Sequence, residues 1–292
     1  TKIEASKPNK LMKDSTFHAL IHLLDDDDPQ VTSQVEEELH SLGDDLLNRL
    51  QEASKNVEDE AVQAQVSRFI ERLQLEHFGQ ELYDWRKGGG KSLLQGWLLL
   101  SQVAGPEMDS QQERNALSRI GHRTWLQLST GMSDLEKLCV INKQLYGLEG
   151  FAGNHVHPEA PENNLLHYVL ENKTGNALSL SALYAILGDE LDIPLQVVNF
   201  NGYHALRYYS RNAHFYIDAF DRGVFYTVPQ VERFLDRHGA NANVLTYKPL
   251  SNIYVVLQLI EALVLTYEQA ENPELAERFK QLLSAIDIKL DG

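Results

Sequence analysis

The chain has 292 residues, 43% of them hydrophobic, and its 42 acidic against 26 basic side chains leave a formal net charge of -16. That length buries a sizeable core in two or three packed units, while the acidic excess repels phosphate backbones, so no nucleic-acid partner is expected. One cysteine, Cys139, excludes an internal disulfide framework and fits a reducing, cytoplasmic compartment; no apolar run reaches bilayer-spanning length, and a start at Thr1 leaves room for a trimmed segment such as a removed signal peptide.

Helices come first. Phe17, Leu20, Ile21, Leu23 and Leu24 form an apolar face, and Val31, Val35, Leu39 and Leu42 then recur at intervals of three and four, the helical period. Asp25 to Asp28 lack the spaced ligands, central glycine and terminal glutamate of a calcium loop. Asp28 before Pro29 reads instead as a helix cap followed by proline in the first turn. Gly43 closes this second helix, and Asp44 and Asp45 open a third carrying Leu46, Leu47 and Leu50. Together they resemble a HEAT-type repeat, which stacks on neighbours because one copy cannot bury both faces. Further helices are expected over 57–83 and 91–103, separated by a flexible Lys87-Gly88-Gly89-Gly90 break whose order is not that of a phosphate loop. A helix over 108–129 carries Arg114, Arg119 and Arg123, three cations that read as a solvated face. Ser133 to Glu136 form a capping box for the next helix, in whose apolar stripe Cys139 is expected as a small buried hydrophobe. These elements define a helical HEAT-like region over 1–150.

Beyond Phe151 the composition turns to Asn, His, Pro and Gly, which marks a surface loop. His155, His157 and Glu159 lie within five positions there, but no second ligand cluster accompanies them, and prolines interrupt the segment, so neither a metal nor a cofactor is expected. A short helix over 163–171 precedes a longer one, capped by Asn176 or Ser179 and running to Leu191. Three strands follow at 195–200, 204–209 and 213–218, separated by Asn201-Gly202 and Ser210-Arg211-Asn212 turns, which predicts an antiparallel meander. Alternation puts His204 and Leu206 on one face of the sheet and Ala205 and Arg207 on the other. Pro229, Pro249 and Pro273 open helices reaching about 238, 267 and 288. The expected fold class is α+β, mainly helical, with a small antiparallel sheet in a core over 151–245 and a helical hairpin over 246–292.

Several strings carry a family resemblance. Pro161-Glu162-Asn163-Asn164-Leu165-Leu166, Val169 to Asn176, Leu191-Asp192-Ile193-Pro194, His204 and Ile217-Asp218-Ala219-Phe220 resemble the transglutaminase-like superfamily, specifically its SirB-type branch. The C-terminal hairpin is similar to the tetratricopeptide-like tail of that branch. The resemblance implies a papain-like core in which a helix N-terminus supports a thiolate, a histidine shuttles its proton and an aspartate orients the histidine. His204 matches the base and Asp218 the orienting acid, whereas Ala177 stands at the nucleophile's place. A methyl group has neither a lone pair nor an acidic proton, so thiol acyl transfer is not expected.

Two replacements for that nucleophile arise from the residues. A two-residue advance along a helix turns a side chain by about 200°, pointing Ser179 away, while four residues return Ser181 to the face of Ala177 one turn deeper. Ser181 or Cys139, served by His204 and Asp218, would make a hydrolase or acyltransferase. The favoured expectation is a non-catalytic scaffold with a protein or peptide partner, and Asn176, Tyr203 and His204 are the candidate ligand-binding residues of the vestigial cleft.

Overall fold

The computed structural model describes residues 12–285, apart from 27, 106–107, 212 and 245–246. Two compact units, 1–77 and 78–292, divide within one long helix. The first unit comprises α1 (Asp14–His22), α2 (Pro29–His40), α3 (Leu46–Ser54) and the first part of α4 (Glu60–Lys87). The Asp28 carboxylate accepts from the Gln30 amide at 2.9 Å, and Pro29 sits in the first turn of α2; Asp27 lies outside the described residues. Phe17, Ile21, Val35, Leu39, Leu50 and Val66 converge in this unit's core. Its edge is closed by Arg49, whose guanidinium lies 4.3 Å above the Phe17 ring and donates to Asp14 at 2.9 Å.

The second unit begins with the end of α4 and continues through α5 (Leu93–Ala104), α6 (Ser110–Trp125) and α7 (Asp134–Asn142). Ser133 and Glu136 form the expected capping box on α7, and a π-helical turn, Lys143–Leu148, prolongs that helix. Strand β1 (Ala152–Gly153) pairs in parallel with β2 (Thr174–Gly175), bracketing α8 (Leu166–Asn172). The central helix α9 (Ala177–Glu190) follows directly. The chain then makes an antiparallel sheet in sequence order from β3 (Leu195–Phe200), β4 (Tyr203–Tyr209), β5 (His214–Asp218) and β6 (Val224–Thr227). Helices α10 (Val228–Arg237), α11 (Asn252–Gln269) and α12 (Pro273–Ala285) complete the described chain. Tyr267 and Phe279 stack at 5.8 Å between the last two. The expected continuation of α12 to residue 288 lies outside the described residues. The whole is a mainly helical α+β fold with one small antiparallel sheet, as its periodicities predict.

Register separates the two faces of the sheet. The pairs Val198↔Ala205, Phe200↔Tyr203, Arg207↔Tyr216, Tyr216↔Tyr226 and Asp218↔Val224 share one face. Val231 and Leu235 of α10 pack there with Val198, Phe200 and Tyr216. Leu195, Val197, Asn199, His204, Leu206 and Ile217 lie on the other face, which meets α9; a Cβ on Gly188 of that helix would come within 2.7 Å of Leu195.

The limits expected at 150/151 and 245/246 both fall inside this second unit. Physical ties run across the first of them: the Trp97 indole donates to the Asn164 carbonyl at 2.8 Å, and Ser101 Oγ accepts from the Leu166 amide at 3.0 Å. Across the second, helix α11 likewise packs on α5 and α9.

Candidate functional site

Helix α9 opens at the first of the two caps that its sequence offers. Asn176 is the N-cap: its side-chain oxygen accepts from the Ser179 amide at 2.9 Å, and Ser179 Oγ accepts from the Asn176 amide at 3.0 Å. This reciprocal box satisfies two amides that a helix end leaves without partners. Gly175 is demanded by the same device, because a Cβ there would lie 2.6 Å from Ser179 Oγ. The Asn176 amide group also donates to Asn164 Oδ1 at 2.7 Å, and Asn154 donates to Asn163 Oδ1 at 3.0 Å. A ladder of asparagines therefore fixes the 151–165 segment against the helix start. Ala177 is the first residue of α9 and presents no reactive atom.

His204 sits on the α9 side of the sheet, opposite Asn199 of β3. Its Nε2 lies 2.6 Å from Gln258 Oε1 on α11, and Asn199 Nδ2 reaches the same oxygen at 3.5 Å. With an amide oxygen as acceptor, Nε2 carries the proton and Nδ1 keeps the lone pair. Burial holds the imidazole pKa below its usual value, and the Gln258 hydrogen bond only partly opposes this, so the ring is neutral at pH 7.

Asp218 faces the other way. One carboxylate oxygen accepts from the Tyr203 hydroxyl at 2.5 Å, and the other accepts from the amides of Phe220 and Asp221, each at 3.0 Å. Burial, then the adjacent Asp218, push the Tyr203 hydroxyl well above its ordinary pKa and keep it a neutral donor. The turn beyond β5 is anchored from the α7 side, where Tyr146 donates to the Ala219 carbonyl at 3.0 Å and Asn142 to the Gly223 carbonyl at 2.8 Å. His204 and Asp218 thus stand on opposite faces with different partners, as do the consecutive residues Tyr203 and His204.

Neither alternative nucleophile is hydrogen-bonded to the imidazole, whose side-chain partner is Gln258. Ser181 is fully buried, and its Oγ has no hydrogen-bond partner among the described residues. Cys139 corrects the expectation of a buried thiol: it is exposed, because α7 buries Leu138 and Ile141 and the next position along turns to solvent. His155 packs its ring against Phe220 at 4.6 Å, and among the described residues no group of three potential metal ligands occurs. No helix is long and apolar enough to cross a membrane, again among the described residues. Gln258 is the residue that motif reasoning passes over. A lone amide in the apolar run from Ile253 to Leu265 was its available signal.

A capped central helix, an antiparallel meander carrying a partly buried imidazole and a mainly helical surround define a mainly helical α+β core. The chain belongs to the transglutaminase-like superfamily, whose family model matches residues 111–261. It is 33% identical over 109 residues to mouse F-box only protein 21, a match covering 35% of this chain and 17% of that relative. The human protein of the same name is 32% identical over the same length. A UPF0162 protein of Xylella fastidiosa is 34% identical over 71 residues, covering 24% of this chain and 25% of the relative. The chain therefore matches only a minor part of each of these proteins. No solved structure matches it.

Proposed function

We propose that this is a non-catalytic transglutaminase-like protein of the SirB type that acts as a protein-binding or regulatory scaffold in the cytoplasm, with a HEAT-like helical region as a second surface for a protein or peptide partner. The observation that carries the reading is Ala177 in the first turn of α9, where the resemblance implies a thiol. The supporting features point the same way. The base candidate His204 is held by the neutral amide of Gln258 at 2.6 Å, while Asp218 is committed to Tyr203 and two backbone amides.

The alternative, a hydrolase or acyltransferase using Ser181 or Cys139, draws on one specific fact: His204 still has an oriented ring with a free lone pair on Nδ1. Amine incorporation into glutamine peptides and ester hydrolysis, compared between the native chain and His204→Ala, separate the two. The scaffold reading expects no turnover that depends on His204. Turnover abolished by His204→Ala and by Ser181→Ala or Cys139→Ser would overturn it. An Ala177→Cys variant in a Cys139→Ser background is expected to gain labelling by an alkylating probe, since a thiol there would stand at a helix N-terminus.

A further inference from the structure

The sheet face that carries Asp218 is hollow. A cavity of about 440 Å³ lies between it and α10, within the roughly 300–1,000 Å³ range of small-ligand sites. Phe200, Ala205, Tyr216 and Val231 form its apolar interior, and Tyr203 and Tyr226 stand at its sides. At the mouth are Phe234, Arg233, Arg237 and His238. Nothing in the family match assigns this space a role.

Charge is sorted across α10. Its Arg233 and Arg237, one turn apart, and the adjoining His238 line the cavity; Glu232 and Asp236 of the same helix do not. Neither guanidinium makes a hydrogen bond or ion pair with another described residue, although the chain carries 42 acidic side chains against 26 basic. The neighbouring His238 is held in place: its Nδ1 donates to the Phe234 carbonyl at 2.8 Å, and the two rings are 4.3 Å apart. Asp218 is the one carboxylate lining the cavity, and both of its oxygens are hydrogen-bonded, to Tyr203 and to the turn amides. An apolar, aromatic interior under a mouth of unpaired arginines is complementary to a ligand with an apolar body and an anionic end.

We propose that this cavity binds an aryl or alkyl carboxylate, its apolar body against Phe200, Tyr203 and Tyr216 and its carboxylate at Arg233 and Arg237. The same chemistry is offered by the free C-terminus of a peptide ending in a bulky apolar residue and by a small carboxylic acid. The inference rests on the binding reading for its biological role, but not on whether His204 is idle.

The probes are a hexapeptide ending in Phe, its C-terminal amide, and N-acetyl-phenylalanine, titrated calorimetrically into the full chain. The acid peptide is expected to bind about tenfold more tightly than the amide, as for loss of a charge-assisted pair. The double variant Arg233→Gln/Arg237→Gln, whose positions are exposed, should show the same loss while its circular dichroism is unchanged. Binding of the hexapeptide alone identifies a peptide source, and binding of N-acetyl-phenylalanine with equal affinity identifies a small-acid source. Equal affinity for acid and amide, undiminished binding by the double variant, or no binding of any probe overturns the proposal. None of those outcomes touches the turnover test on His204, so the two readings fail separately.

Discussion

The two faces of the four-stranded sheet follow opposite rules. Beneath α9 the sheet is filled: Val197, Leu206 and Ile217 are buried, and the polar residues among them, Asn199 and His204, are tied to Gln258, while the Phe215 and Phe225 end of the same face borders a second cavity of about 520 Å³ against Met132 to Leu135. Towards α10 it is partly empty, and its polar groups surround a cavity. A sheet with one consolidated face can hold the other open, because the strands are already fixed by packing and register before anything occupies the open side. The His204 side beneath α9 is thus held by packing and a buried amide, and the α10 side is where the proposed ligand cavity lies.

The largest expected effect tests that division directly. Leu206 is completely buried on the α9 face, so Leu206→Ala should lower stability by about 2–5 kcal/mol through lost burial and a residual cavity. Phe234 on the opposite side is 43% exposed, and Phe234→Ala should cost less than about 1 kcal/mol. Urea denaturation of both variants provides the measurement; comparable losses would mean that Phe234 at the cavity is packed as firmly as Leu206 beneath α9.

Next in size is Asp218, the polar keystone of the open side. Asp218→Ala removes the acceptor of three hydrogen bonds and should cost about 2 kcal/mol, whereas Tyr203→Phe, which removes one, should cost about 1 kcal/mol. If Asp218 instead served His204, Asp218→Asn would alter the titration of the imidazole. The geometry expects the His204 ring signals in NMR to titrate unchanged in that variant.

These particulars also mark how far the sequence is readable. Alternation along 204–209 assigns His204 and Leu206 to one face, and extending the strand pairing through Leu206↔Ile217 puts Asp218 on the other. That register is a tertiary fact, set by where β4 and β5 meet, and a motif written as His followed by Asp does not contain it. The capping boxes at Ser133 and Asn176 are legible because each is local, spanning three residues. Gln258 is fifty-four residues from His204, so only folding brings its amide to the ring. Cys139 fails for a related reason: an apolar stripe predicts which residues share a helix side, but α7 is too short for sequence alone to say where its buried face ends.

A smaller effect is expected with pH. Burial depresses His204 and His167, and burial with the neighbouring Arg207 charge depresses His214, from an ordinary value of 6.5. Each is protonated more readily in the unfolded chain than in the native one, so their contribution is intact above pH 6.5 and is lost as pH falls below it. Glu113 and Glu190, which burial raises, act in the opposite sense, their native forms holding protons near and above pH 4.5. The histidine effect is therefore read between pH 7 and 6, where stability should decline on acidification. His204→Gln should flatten that slope; an unchanged slope would show that the α9 face does not exclude water from the ring.

The smallest change reverses sign. Ser181 lies one turn below Ala177, fully buried, and its hydroxyl has no hydrogen-bond partner among the described residues. A buried, unpaired hydroxyl is a desolvated group with nothing to offset it. Ser181→Ala removes one atom, leaves little cavity and improves helix propensity, so stability should rise by up to about 1 kcal/mol. A serine kept for chemistry would behave differently, because a nucleophile near the imidazole donates to it and its removal breaks that bond. Stabilisation in Ser181→Ala, measured together with unchanged ester hydrolysis, is the result expected of a buried hydroxyl with no part in chemistry. A destabilised variant with lost turnover would instead return the α9 face to catalysis.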